Sequence, residues 1–149
     1  MIRRGELGSG TTAVVHVWVL REGGGRCAGK VFRRGHSACR KHEHDMALRF
    51  KGVDHILQLS PNSIQLLLTE SAPEPAIAFE LCHGSWKTEG VQAKFKWKWV
   101  IQLGRALMYV HERNLVHCDV KPENIFITEE ARTERAALAQ CTTAYAHIT

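Results

Sequence analysis

Asp119, Lys121 and Asn124 fall in one short stretch, His117-Cys118-Asp119-Val120-Lys121-Pro122-Glu123-Asn124. It holds a carboxylate, an ammonium and a carboxamide. Asp119 can accept a hydroxyl proton and orient the nucleophile that carries it. Lys121 can neutralise charge on a group in transfer. Asn124 offers a neutral oxygen ligand to a hard cation such as Mg²⁺. Pro122 fixes φ between them and stiffens the loop. Cys118 is a candidate nucleophile beside Asp119 and ranks low.

Two upstream groups suit the same chemistry. Gly8-Ser9-Gly10-Thr11-Thr12-Ala13-Val14-Val15 fits G-x-G-x-x-A-x-V. Glycines let the backbone approach phosphate oxygens and present amide donors. A dinucleotide-binding fold needs a helix to open right after the glycines. A valine-rich segment follows here, so the glycines sit at a hairpin tip. A plain glycine turn is the simpler reading of this match alone. Lys30 lies in the apolar run Cys27-Ala28-Gly29-Lys30-Val31-Phe32. Its ammonium needs either solvent or a partner there, and Glu43 is the candidate partner.

The elements that position these residues follow from periodicity. Residues 7–20 alternate, with Val14, His16 and Trp18 on one side and Val15, Val17 and Val19 on the other, which predicts a strand. Met1 to Gly5 leads into loop-like sequence, and the expected order is strand–strand–strand–helix–strand–strand, a hinge, a long helix, then a loop. Residues 26–32 form the next strand, and 37–51 a helix. Residues 63–69 and 76–82 read as a hairpin, followed by a break at His83-Gly84-Ser85. Residues 97–112 repeat apolar side chains at Val100, Leu103, Leu107 and Val110, the strongest helical signal in the chain. Ile125 to Ile127 is a short strand, and 129–140 look helical. The fold class is α+β: a small antiparallel sheet with one helix, then the start of a helical region.

The 149 residues are 44% hydrophobic and 23% charged, enough for one domain with a core. No apolar run reaches membrane-span length, and the N-terminus lacks a signal-like apolar region. The five cysteines form no C-x-x-C, which favours free thiols in an intracellular compartment, cytoplasm or nucleus. The net charge of +5 is scattered and does not argue for nucleic acid. His36, Cys39, His42 and His44 are ligand-rich, but on a helix His42 and His44 point to different faces, so a solvated face is simpler. The Lys94 to Trp99 interleave reads as core tryptophans and solvated lysines rather than a base-stacking platform.

Taken in order, these segments resemble the N-terminal part of a protein kinase. Leu7, Gly8, Ser9, Gly10 and Val15 match the glycine-rich loop, with Ala13 in place of its third glycine. Ala28 and Lys30 match the Ala-x-Lys of the third strand. Glu43, followed by Met46, Ala47 and Phe50, matches the helix that pairs with that lysine. Phe79-Glu80-Leu81-Cys82 is similar to the hinge that reads adenine. His117-x-Asp119-x-Lys121-Pro122-x-Asn124 matches the catalytic loop, and Lys121 stands where serine/threonine specificity is marked.

The resemblance implies ATP and Mg²⁺ as cofactors, a nucleotide and a protein substrate as partners, and neither nucleic acid nor membrane. It implies a partial kinase domain over 1–128, with an N-lobe at 1–82, a hinge, long helix and catalytic loop at 83–128, and a divergent tail at 129–149. Two departures stand out. Cys118 replaces the arginine that often grips an activation-loop phosphate. No aspartate follows Asp119, although the family's main Mg²⁺ ligand is expected near residue 137. The alternative expectation is therefore a truncated, non-catalytic module that binds nucleotide or a partner protein.

Overall fold

The computed structural model describes residues 2–20, 23–61, 76–88, 96–128, 136–138 and 146–147. The chain divides into two compact units, Met1–Lys51 with Gln58–Leu81 and Gly52–Leu57 with Cys82–Thr149.

The first unit is an antiparallel sheet with one helix. Strands β1 (Ile2–Ser9), β2 (Ala13–Val19), β3 (Arg26–Phe32) and β4 (Ala76–Phe79) lie in the order β1-β2-β3-β4. Strand alternation decides which side each residue takes. Trp18 pairs with Cys27 and Val31 with Ala76, and together with Ala78 they form a buried cluster on one face. A Cβ at Gly29 would overlap the Trp18 ring, so the indole occupies the space a side chain would fill. The opposite face carries the directly opposed pairs Val15–Lys30, Lys30–Ile77, Val17–Ala28 and Ala28–Phe79.

β1 completes the three strands that the expected element order places before the helix, and it begins at Ile2. It is exposed along its whole length, so no apolar pattern announces it. Backbone pairing with β2 makes the strand, with irregularities between Arg3 and Glu6 and between Glu6 and Gly8.

Helix α1 runs from Ser37 to Arg49. Glu43, Met46, Ala47 and Phe50 are its buried stripe, at i, i+3, i+4 and i+7. Gly52, at φ 78°, turns the chain away after it.

The second unit holds β5 (Cys82–Ser85), α2 (Lys96–His111), β6 (Leu115–Val116), a 3-10 turn (Pro122–Asn124), β7 (Ile125–Thr128), β8 (Ala136–Leu138) and β9 (Ala146–His147). A three-stranded sheet runs β5-β7-β8, and β6 pairs with β9. Three expectations change here. His83-Gly84-Ser85 is not a break: Gly84 opposes Ile127 and Ser85 opposes Phe126. Ala136–Leu138 is a strand rather than helix, because β7 and the 55–57 backbone offer it hydrogen-bond partners and burial. The buried face of α2 is Trp99, Gln102, Ala106 and Val110. Val100 is exposed instead, and so is Trp97, which the sequence placed in the core.

Arg113 ends α2 by stacking its guanidinium 3.4 Å over the Tyr109 ring. It also donates from Nη1 to the Tyr109 carbonyl at 3.0 Å. Asn114, at φ 55°, then reverses the chain. Among the described residues no helix is long and apolar enough to cross a membrane. The 63–69 strand expected from the sequence lies outside the described residues.

Candidate active site

Lys30 reaches its expected partner. Its Nζ lies 2.8 Å from Glu43 Oε1 and 2.7 Å from Oε2, so the ammonium engages both carboxylate oxygens. Glu43 is only 2% exposed, whereas the Lys30 side chain keeps 20%. Burial pushes the Glu43 carboxyl above its ordinary value, and the Lys30 charge and hydrogen bond pull it partly back. Nζ also sits 5.4 Å from the centre of the Phe32 ring. Val15 and Ala28 share the Lys30 face of the sheet, as does Phe79.

The glycine stretch forms the β1–β2 hairpin tip, and no helix opens after it. Gly8 opposes Val15 and Ser9 opposes Val14. The Gly10 amide donates to the Ala13 carbonyl at 2.9 Å, closing the tip. Leu7 is 52% exposed, a large apolar side chain left at the rim. Arg33, which sequence reasoning passed over, braces this tip. Its Nε donates to the Gly10 carbonyl at 3.2 Å and its Nη2 to Ser9 Oγ at 3.0 Å. The only sequence signal for Arg33 was a cation just past the end of the lysine strand.

Glu80 and Cys82, the expected hinge residues, fall on either side of the division between the units. The Glu80 amide donates to the Gln58 carbonyl at 3.0 Å. Its carboxylate accepts the Gln58 amide at 2.9 Å. Cys82 opens β5 opposite Thr128.

The residues expected to form a catalytic loop converge in the second unit. Lys121 Nζ is 2.9 Å from Asp119 Oδ2. Asn124 Nδ2 donates to that same Oδ2 and to the Asp119 carbonyl, each at 2.8 Å. The Lys121 hydrogen bond is the main reason the Asp119 carboxyl lies below its ordinary value, with Asn124 adding to it. Asp119 is thus held as a carboxylate near neutral pH. His117 is buried, and its Nδ1 accepts the Asp119 amide at 3.4 Å. Cys118 lies between them at φ 59°, exposed to solvent.

The 3-10 turn is tied to the segment after β5. Trp86 donates its amide to the Ile125 carbonyl at 2.7 Å. Lys87 Nζ lies 2.9 Å from Glu123 Oε1. Gln102 was also missed. From the buried face of α2 its Oε1 accepts the Ala136 amide at 2.8 Å, anchoring β8. A single polar residue inside an apolar helical stripe was the signal for it.

Asn124 spends its amide nitrogen on Asp119, which leaves Oδ1 as the atom facing other donors or cations. Among the described residues no three His, Cys, Asp or Glu side chains converge as metal ligands. The neighbourhood of residue 137 is β8, whose three residues are apolar and buried. One carboxamide oxygen beside a lysine-paired carboxylate is a poor fit to a magnesium site built by the protein alone.

Comparison with known proteins places these observations. The protein kinase domain model matches residues 2–137. Serine/threonine-protein kinase ArnS of Sulfolobus acidocaldarius is 35% identical over 71 residues, covering 40% of this chain and 11% of that protein. Human serine/threonine-protein kinase DCLK2 is 29% identical over 132 residues, 83% of this chain and 16% of its own length. Aurora/IPL1-related protein kinase 2 of Caenorhabditis briggsae is 27% identical over 132 residues, 81% of this chain and 42% of its own. The chain therefore spans less than half the length of each of these relatives. With a domain match over most of its length and the Lys30–Glu43 pair in place, the chain belongs to the protein kinase family.

Proposed function

We propose that the chain binds ATP and transfers its γ-phosphoryl group to serine or threonine hydroxyls of a protein substrate. The observation that carries this reading is the Lys30–Glu43 pair, closed through both carboxylate oxygens. It holds an ammonium ready for the α- and β-phosphates. Gly8, Ser9 and Gly10 would offer backbone to the phosphates, while Leu7, Val15 and Ala28 would pack against the base. Glu80 and Cys82 would read adenine through their backbone.

Asp119 would accept the proton of the attacking hydroxyl as its oxygen bonds to the γ-phosphorus and the bond to the β-phosphate oxygen breaks, releasing ADP. Lys121 would steady the charge on the phosphoryl group. Asn124 would offer its carboxamide oxygen only to a magnesium ion that the nucleotide itself carries in. Residues 1–82 would serve as the N-lobe and 83–128 as hinge, long helix and catalytic loop, with 129–149 a divergent tail.

The test is transfer of labelled phosphate from ATP to a peptide pool containing Ser, Thr and Tyr. Label on Ser and Thr that Asp119→Asn lowers by roughly a hundred- to ten-thousand-fold supports the reading. Label on Tyr alone, or label unaffected by the substitution, overturns it.

One observation favours a second reading, a nucleotide-binding module without turnover. No aspartate follows Asp119, and β8 presents only Ala136, Ala137 and Leu138. In that case ATP raises the melting temperature of the wild type and not of Lys30→Met, with no transfer by either. Absence of ATP stabilisation sinks both readings.

A further inference from the structure

Helix α2 is apolar on two opposite sides. One side, Trp99, Ala106 and Val110 with Gln102, is buried in its own unit. The other carries Trp97 at 78% exposure, Ile101 at 55% and Met108 at 62%. At 100° per residue these three and Gly104 fall in one stripe, about 16 Å long at 1.5 Å per residue. Val100 borders it, 43% exposed. An exposed apolar patch of this kind marks an interaction surface. Gly104 interrupts the row of large side chains with open space, leaving a notch where another backbone can come close.

Charge identifies the occupant. The sixteen residues of α2 include Lys96, Lys98 and Arg105 and no Asp or Glu. Lys98 and Arg105, both exposed, follow one border of the stripe. Its first turn also lacks an acid to oppose the positive end of the helix dipole. We propose that this outer face of α2 docks an amphipathic helix of a partner protein whose apolar stripe is flanked by Asp and Glu. The apolar rows interdigitate at the Gly104 notch, and the acidic flank meets Lys98 and Arg105. A second copy of the chain would bring like charges together, so charge disfavours self-association. A lipid surface has no use for a central notch.

The probes are two synthetic helices of about eighteen residues with the same leucine stripe, long enough to cover the face. One is flanked by Glu and the other by Lys. Each is titrated by fluorescence anisotropy against the full 149-residue chain. The Glu-flanked helix should bind about tenfold tighter or more than its Lys twin. Ile101→Glu and Met108→Glu should each weaken it by about tenfold or more. Arg105→Glu should shift preference toward the Lys twin. Because these side chains are exposed, the variants should keep the wild-type melting temperature, and Trp97→Lys serves if one does not. The proposal is overturned by equal binding of both helices, by binding that these variants leave unchanged, or by no binding. It is equally overturned by a dimer that Ile101→Glu dissolves, or by binding to phosphatidylcholine–phosphatidylserine vesicles in place of the helix.

Discussion

Lys30 and Glu43 grip each other through both carboxylate oxygens, at 2.8 and 2.7 Å, with the glutamate withdrawn almost entirely from water. Neither residue is well placed alone. Removing the lysine leaves a buried carboxylate without its counter-charge, which costs several kcal/mol when burial is complete. The lysine is part exposed, so Lys30→Met should cost about 1–3 kcal/mol in urea unfolding. The same variant should lose ATP-dependent thermal stabilisation. Glu43→Gln should weaken nucleotide binding with a smaller stability loss, since an amide tolerates burial better than an orphaned charge.

The pH dependence of stability should carry the mark of Glu43. Its folded carboxyl lies above its ordinary 4.5, so the native state holds more protons than the unfolded chain just above that pH. This contribution is complete below the unfolded value and is lost as pH rises through the folded one. The stability of the wild type minus that of Glu43→Gln should therefore fall as pH rises above 4.5. A difference that grows with pH would mean that the Lys30 attraction outweighs burial. Asp119 has the opposite sign and a lower window, its contribution fading as pH drops below 3.8.

Gly29→Ala tests the close approach in the first sheet. The new methyl would meet the Trp18 ring, so either the indole or β3 has to move. A loss of about 1–3 kcal/mol is expected, with a change in tryptophan fluorescence. Because Lys30 is the next residue, nucleotide binding should weaken as well. Unchanged stability and emission would mean that the ring has free room to rotate.

Gln102→Leu tests the anchor of β8. The substitution keeps the volume but leaves the Ala136 amide without its acceptor inside the second unit. Stranding a buried donor costs about 1–3 kcal/mol. Hydrogen exchange at the Ala136 amide should accelerate beyond what the lost stability explains. If exchange there matches the global opening rate, the side-chain anchor is not what holds the strand.

What the sequence made legible was mostly what side chains decide. The alternation of His16 and Trp18 against Val15 and Val17 reports a two-sided sheet. The stripe from Glu43 to Phe50 reports a packed helix, and family order led to the Lys30–Glu43 pair. What backbone decides was hidden. β1 is held by main-chain pairing and shows no burial pattern. Ala136 to Leu138 reads as helix by propensity, yet its strand forms because β7 and the 55–57 segment present complementary edges. Arg33 and Gln102 were missed because their partners are distant carbonyl and amide groups, which leave no spacing in the sequence.

The bonds of Leu138 also impose an order of events on a growing polypeptide. Its amide donates to the His55 carbonyl at 2.8 Å, and its carbonyl accepts the Leu57 amide at 2.9 Å. Those groups lie about eighty residues earlier, so closing this contact is slow in the way of any long-range pairing. On a ribosome making 5–20 residues per second, roughly 4–16 s separate the two segments. Ile56, fully buried in the finished protein, must wait out that interval before its strand partner exists. The nascent chain thus has a dwell time in which a chaperone or a partner can reach the 52–57 segment before the fold takes it in.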